Sequence, residues 1–207
     1  MGETNEMANL AGTTGEVGTG HVDRARVEAA VRELLAAIGE DPNREGLVGT
    51  PDRVARACEE LFGGIGQDPA AHLRKQFHEE SGGGIVVVRD IPFHSMCEHH
   101  LLPFVGVAHV AYLPREGRIT GLSKIARCVA GFAARPQVQE RLTAQVADAM
   151  VAELEPEGVL VVMEAEHTCM TMRGIRAAGA KTTTIATRGA FDADASLRAE
   201  ALSLLGQ

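Results

Sequence analysis

The sequence predicts an α+β fold, with helices packed against a mainly antiparallel sheet. The first observation is the order of its segments: two β-branched strands, two amphipathic helices and two further strands, with helices at both ends. Grouped strands and helices of this kind are typical of α+β proteins rather than of parallel sheets. The second is the length of 207 residues, which is enough for one substantial core. We therefore predict a disordered, Gly- and Thr-rich tail at residues 1–20 and a single domain at residues 21–207.

Two helices are predicted in the N-terminal part of this domain, residues 22–63. Apolar residues recur at helical spacing over residues 22–38, which predicts an amphipathic helix. A second helix is predicted to be capped by Thr50, to carry Pro51 in its first turn and to end at the glycine pair 63–64.

The rest of the core, residues 84–207, is predicted to hold four strands and three helices. The runs IVVVRDIPF and VGVAHVAYLP predict the first two strands, and GVLVVMEAEHTCMTM and KTTTIATRGAF predict the last two. Two helices are predicted between these pairs, GLSKIARCVAGFAA and a longer one beginning at Pro136. The amphipathic segment ADASLRAEALSLL predicts a C-terminal helix.

The composition argues against nucleic acid and membranes as partners. A net charge of −8 gives neither DNA nor an anionic membrane a general reason to bind, and 3% aromatic residues are few for stacking bases. The N-terminus lacks the basic start and apolar run of a signal peptide, and no stretch is long enough to cross a bilayer. We therefore expect a cytoplasmic protein whose four cysteines stay reduced.

The segment HSMCEHHLLPF, residues 94–104, places a thiol and two imidazoles within four residues. Cys97 and His100 are spaced i, i+3, so both side chains can converge on one point in a turn. Cys169 and His167 are two apart on a predicted strand and should therefore face the same side. Adding Cys169 predicts a Cys₂His zinc site with an open fourth position, which is typical of catalytic zinc. His99 and His167 are then spare imidazoles suited to proton transfer.

Spacing alone leaves other interpretations open. Cys97 beside His99 could form a thiolate–imidazole pair in a cysteine-nucleophile enzyme. The same residues could also be ordinary surface or core side chains, and core packing is the favoured interpretation for Cys58 and Cys128.

Four longer segments carry a family resemblance. CEHHLLPFVGVAHVAYLP, GLSKIAR, RPQVQERLT and EHTCMTMRG resemble, in order and approximate spacing, the GTP cyclohydrolase I family. The resemblance runs from TPDRVARA at residue 50 to the C-terminal helix. It implies the tunnelling fold, a four-stranded antiparallel sheet with helices packed on one side. It also implies a homodecamer of two pentameric rings, with active sites at subunit interfaces.

The resemblance implies a reaction as well: GTP and water give formate and 7,8-dihydroneopterin triphosphate, the first step of folate or biopterin synthesis. One zinc ion per subunit would be held by Cys97, His100 and Cys169. Its activated water would attack C8 of the guanine, followed by an Amadori rearrangement and ring closure. His99 and His167 fall on the family's catalytic histidines and are expected to move the protons of ring opening and formate release.

Further site residues are implied by the same segments. Ser123 occupies the family position for proton transfer at the ribose, although a serine before KIAR also suits a helix cap. Glu140, with Gln139 beside it, is expected to recognise guanine N1–H and the 2-amino group, although a solvated surface glutamate is the ordinary alternative. A cationic clamp is expected for the triphosphate. Its members are Lys124, Arg127, Arg173, Arg53 and Arg56.

Two other functions remain open at this stage. One is a tunnelling-fold relative that acts on another purine or pterin, such as the superfamily's zinc-free nitrile reductase, which lacks the CEHH and HTC arrangement. The other is a catalytically silent ring that only binds GTP or a regulator, which would be expected to have lost a ligand or a histidine.

Overall fold

The computed structural model describes residues 20–80 and 83–206 and confirms an α+β architecture. Apart from residue 20, the predicted tail lies outside the described residues. The helices are α1 (Arg24–Ala37), α2 (Thr50–Leu61), α3 (Leu122–Ala133), α4 (Gln139–Leu154), α5 (Thr168–Thr171), α6 (Ala190–Ala193) and α7 (Ala195–Leu205), with a 3₁₀ helix at Pro69–Arg74. The strands are β1 (Gln76–His78), β2 (Val86–Cys97), β3 (Pro103–Leu113), β4 (Arg118–Thr120), β5 (Pro136–Gln137), β6 (Gly158–His167) and β7 (Lys181–Gly189).

The main sheet has the order β5-β2-β3-β6-β7, and β1 and β4 form a separate antiparallel pair. The four long strands β2, β3, β6 and β7 are the four that the sequence predicts, and each pairs antiparallel with its neighbour. The addition is β5, which pairs in parallel with the end of β2.

The predicted start of the long helix at Pro136 is wrong. Pro136 and Gln137 pair with Met96 and Cys97, and α4 begins only at Gln139. Proline is tolerated at the edge of a sheet because it has no N–H to donate to a ladder. The pairing brings the segment before α4 alongside the end of β2.

The core lies mainly between the sheet and the helices α3 and α4. Side chains such as Tyr112, Ile125 and Met150 are fully buried there. A smaller cluster on the other face of the sheet packs Phe191 and the α7 residue Leu205 against Leu160. Burial on both faces explains why β6 reads as a nearly continuous apolar run.

The starts of the two N-terminal helices differ in their caps. Helix α1 is capped by Asp23, whose carboxylate accepts from the Arg26 N–H at 3.1 Å. Thr50 is not the cap of α2: the cap position is Gly49, and no side chain bonds to the end of the helix. With Pro51 in the first turn, α2 starts one residue earlier than predicted, which takes Thr50 into the helix.

Helix α1, which the structure describes in full, buries no residue. It packs against α2, and Arg24 binds Asp52 at 2.8 Å across the pair. The side chains of Leu34 and Ile38 remain 58% and 66% exposed. No helix in the described ranges is both long and apolar enough to cross a membrane.

Candidate active site

Three potential metal ligands converge at one end of the main sheet. Cys97 is the last residue of β2, His100 closes the turn that follows it, and Cys169 lies in α5. One donor atom from each lies within 4.8 Å of the others. The turn is held by backbone bonds, with the Cys97 N–H donating to the Leu102 carbonyl at 2.9 Å and the Leu101 N–H to the Cys97 carbonyl at 2.8 Å.

The route of the chain to Cys169 differs from the prediction. The expected strand through residue 172 ends at His167, and the next four residues form α5. Thr168 anchors this helix, since its hydroxyl donates to the Pro103 carbonyl at 2.6 Å. His167 and Cys169 are therefore not two residues of one strand. The helical turn brings Cys169 to Cys97, while the ring of His167 contacts α4.

The donor set fits a zinc ion on chemical grounds. Two thiolates and one imidazole suit zinc, and its usual bond lengths place donor atoms about 3.5–4 Å apart in a tetrahedron. That spacing is compatible with the observed group. Burial and the neighbouring Cys97 thiol raise the pKa of Cys169, whereas Arg173 acts to lower it. Two adjacent thiols resist deprotonation together, and a bound cation would relieve that repulsion.

The two remaining histidines stand in different environments. The Nδ1 of His99 lies 3.9 Å from Cys97 Sγ, and its side chain is 64% exposed. His167 is half-buried, with its Nε2 2.8 Å from Gln139 Oε1 and its ring stacked on Phe104 at 4.5 Å between centroids. Burial lowers the pKa of His167, and the negative charge of Glu140 partly opposes that effect.

An ion pair that sequence reasoning missed ties the metal turn to α4. Arg141 donates to both carboxylate oxygens of Glu98, at 2.6 and 2.9 Å. This pairing lowers the pKa of Glu98. The Glu98 N–H also donates to the Gln137 carbonyl at 3.0 Å. The only sequence signal for this contact is the presence of opposite charges in CEHH and RPQVQERL, which identifies no pairing.

Gln139, expected to contact substrate, is buried and hydrogen-bonded within the chain. Glu140 is exposed and lines a cleft of about 400 Å³ between α4 and β7. Ser123 is also exposed, and it lies inside α3, whose cap position is Gly121. Its alternative role as a helix cap is therefore wrong.

The expected phosphate-binding cations are spread over the surface. Lys124 and Arg127 lie on α3, and Arg53 and Arg56 lie on α2, where Arg56 pairs with Asp52 at 2.8 Å. Within the described residues, no hydrogen bond or ion pair joins these four side chains to the Cys–His–Cys group. The three ligands therefore converge without polar contacts to these four cations in the described part of the chain.

Comparison with known proteins identifies the family. The family profile described as GTP cyclohydrolase I matches residues 27–206. The chain belongs to the GTP cyclohydrolase I family.

Relatives named GTP cyclohydrolase 1 agree over most of their length. The protein from Carboxydothermus hydrogenoformans is 61% identical over 185 residues, which cover 89% of this chain and 96% of the relative. The relative from Geobacillus kaustophilus is 60% identical, and the alignment covers 89% of this chain and 97% of the relative. The relative from Mycobacterium leprae (strain Br4923) is 61% identical, and the alignment covers 88% of this chain and 89% of the relative. These comparisons confirm the family and the enzyme class that the sequence predicts.

Proposed function

We propose that this protein hydrolyses GTP to formate and 7,8-dihydroneopterin triphosphate at a zinc centre held by Cys97, His100 and Cys169. The observation that carries the proposal is the convergence of these three donors from β2, its turn and α5 in a member of this family. When bound, zinc would supply Lewis acidity and lower the pKa of a coordinated water towards 7.

The chain's own residues supply the proton transfers. His167 is proposed to exchange a proton with the guanine ring, since it is half-buried two residues before Cys169 in the chain and its ring stacks on Phe104. His99 is more exposed and next to Cys97, which suits it to the later protons of formate release. Ser123 is proposed to transfer protons at the ribose after formate has left.

Binding of the substrate is proposed to use charged side chains at the surface of the chain. Glu140 faces an open cleft and would accept from guanine N1–H and the 2-amino group. A cationic clamp would bind the triphosphate of GTP, with arginine giving bidentate contacts. Its proposed members are Lys124, Arg127, Arg173, Arg53 and Arg56.

We further propose that the active unit is a homo-oligomer, a decamer of two pentameric rings with sites between subunits. Two features support it. Among the described residues, the clamp residues on α2 and α3 make no hydrogen bond or ion pair with the metal group of their own chain, and α1 leaves apolar side chains exposed. All four cysteines, which lie in the described part of the chain, are free thiols, as expected for a protein of the reducing cytoplasm.

One assay tests the reaction and the metal together. Purified protein is incubated with GTP, and formate release is followed with and without a zinc chelator. Formate production that stops on chelation and returns with added zinc supports the proposal. If formate production continued in the presence of the chelator, the zinc centre would be contradicted. If zinc-loaded protein released no formate, the proposed reaction would be contradicted.

A further inference from the structure

Gln139, the first residue of α4, is 1% exposed, and its side chain has four neighbours at hydrogen-bond distance. Its Nε2 lies 2.9 Å from the Met163 carbonyl oxygen, 2.9 Å from the Thr182 carbonyl oxygen and 3.2 Å from Thr184 Oγ1. Its Oε1 lies 2.8 Å from His167 Nε2. The amide thus joins α4, β6 and β7 to His167, which precedes the ligand Cys169 by two residues.

The direction of this amide is determined by its partners. Carbonyl oxygens can only accept, so the NH₂ group must face Met163 and Thr182. Flipping the amide would place Oε1 against two carbonyl oxygens and lose both bonds. The Oε1 of Gln139 is therefore an acceptor directed at His167.

The neighbouring hydroxyl groups agree with this direction. Thr143 Oγ1 donates to the Gln139 carbonyl at 2.8 Å, so its hydrogen is already used. In the 2.6 Å contact between Thr143 and Thr184, the hydrogen must then come from Thr184. The Thr184 oxygen can then accept a share of one Gln139 Nε2 hydrogen, so that two N–H groups serve three acceptors in one consistent arrangement.

The arrangement determines where His167 carries its hydrogen. An amide oxygen cannot donate, so the 2.8 Å contact requires a hydrogen on His167 Nε2. In the neutral imidazole, Nδ1 is then the nitrogen with the free lone pair. Phe104 keeps the ring plane in place, since the two rings are 5° from parallel.

We propose that Gln139 is a positioning residue, which keeps the hydrogen of neutral His167 on Nε2 and leaves Nδ1 to exchange the proton during GTP hydrolysis. The inference rests on the proposed function and changes the role first expected for Gln139. Both hydrogens of its amide are engaged within the chain, so recognition of the guanine edge is left to Glu140.

A matched pair of variants tests this role. Gln137 is also a buried amide, 0% exposed, and donates to the Phe132 carbonyl at 2.9 Å and to Gln145 Oε1 at 2.7 Å. It makes no hydrogen bond to His167. Gln139→Met and Gln137→Met therefore each remove a side-chain amide from a buried position. Only Gln139→Met removes the hydrogen bond to His167.

The readouts are kcat, the dissociation constant of GTP and the zinc content of each variant. We expect Gln139→Met to lower kcat by about 10- to 100-fold, as losses of supporting contacts at metal sites do. Its affinity for GTP and its zinc content should stay unchanged, and Gln137→Met should keep its kcat. Weakened GTP binding with kcat retained would return Gln139 to substrate binding and overturn the proposal. Equal losses of kcat in both variants would show that Gln139 has only a structural role, and this result would also overturn the proposal.

A second measurement needs no variant of Gln139. Solid-state NMR of the full protein labelled with ¹⁵N-histidine, at a pH well above the usual histidine pKa, reports which ring nitrogen is protonated. The signal of His167 is identified by its loss in His167→Asn. Protonated Nε2 with bare Nδ1 is the expected result, and the reverse would overturn the proposal. Wild-type formate release is measured in parallel, so that failure of the reaction is distinguished from failure of the tautomer assignment.

Discussion

The metal turn and the N-terminal helix pair differ in how far the chain supports them by itself. The turn after β2 is held by bonds to β5, to α4 and within itself, and Cys97 is buried. Helix α1 contacts α2 and leaves Leu34 and Ile38 largely exposed. Both regions carry segments with clear sequence patterns, but the first is buried and hydrogen-bonded, whereas the second leaves apolar side chains exposed.

This difference indicates which surface remains available for the subunit contacts of the proposed oligomer. Directional hydrogen bonds from neighbouring strands and helices can bring three metal donors together in a single chain. An amphipathic helix with one neighbour still exposes part of its apolar side, and such a surface is typical of an interface. We therefore expect changes at the metal turn to alter chemistry, and changes on α1 to alter assembly.

The largest expected effect is that of Cys169→Ala. Removing one thiolate leaves two ligands, so we expect loss of both zinc retention and formate release. Metal analysis and the GTP assay measure the two effects. Cys58→Ala, on α2 outside the ligand group, is the control and should retain both. A zinc-free Cys169→Ala protein that still consumed GTP would contradict the metal mechanism.

The next effect separates proton transfer from metal binding. His167→Ala should keep its zinc, because His167 is not in the ligand group, while formation of dihydroneopterin triphosphate falls by about 10²- to 10⁴-fold. Product formation is followed with zinc content measured on the same sample. Full activity of this variant would remove His167 from the mechanism, and loss of zinc would make it a ligand.

The third prediction concerns the helix pair. Leu34→Glu combined with Ile38→Glu places charge on the exposed apolar side of α1 and should shift sedimentation to a smaller species without changing helix content. Ala36→Glu is the control, because it adds one glutamate about 200° around the helix from Leu34. An unchanged sedimentation coefficient in the double variant would show that this surface is not an interface.

The smallest expected effect is at the ion pair behind the turn. Arg141→Gln removes both bonds to Glu98, yet exposed ion pairs contribute little. We expect zinc affinity to fall less than about tenfold. Zinc affinity is measured by competition with a chromogenic chelator. The control is Arg118→Gln, which loses an ion pair with Glu155. Complete loss of zinc would mean that the ion pair holds the turn together.

Elements with a long periodic pattern could be predicted because their signal is local. The four long strands, the helix α1 and the C-terminal helix α7 follow from apolar spacing within each segment. The prediction failed where distant partners decide the structure. Pro136 joins a strand because β2 lies beside it, and the segment after His167 turns into α5 where the hydroxyl of Thr168 meets Pro103.

The sequence by itself determined the α+β class, the family and the grouping of Cys97 and His100, since these depend on residue types at short spacing. Only the tertiary structure decided that a helical turn brings Cys169 to them, and that Gln139 faces His167 rather than open solvent. The physical reason is that hydrogen bonds are directional and their partners here lie on different elements. No local pattern records which carbonyl oxygens will surround an amide after the sheet and α4 have packed together.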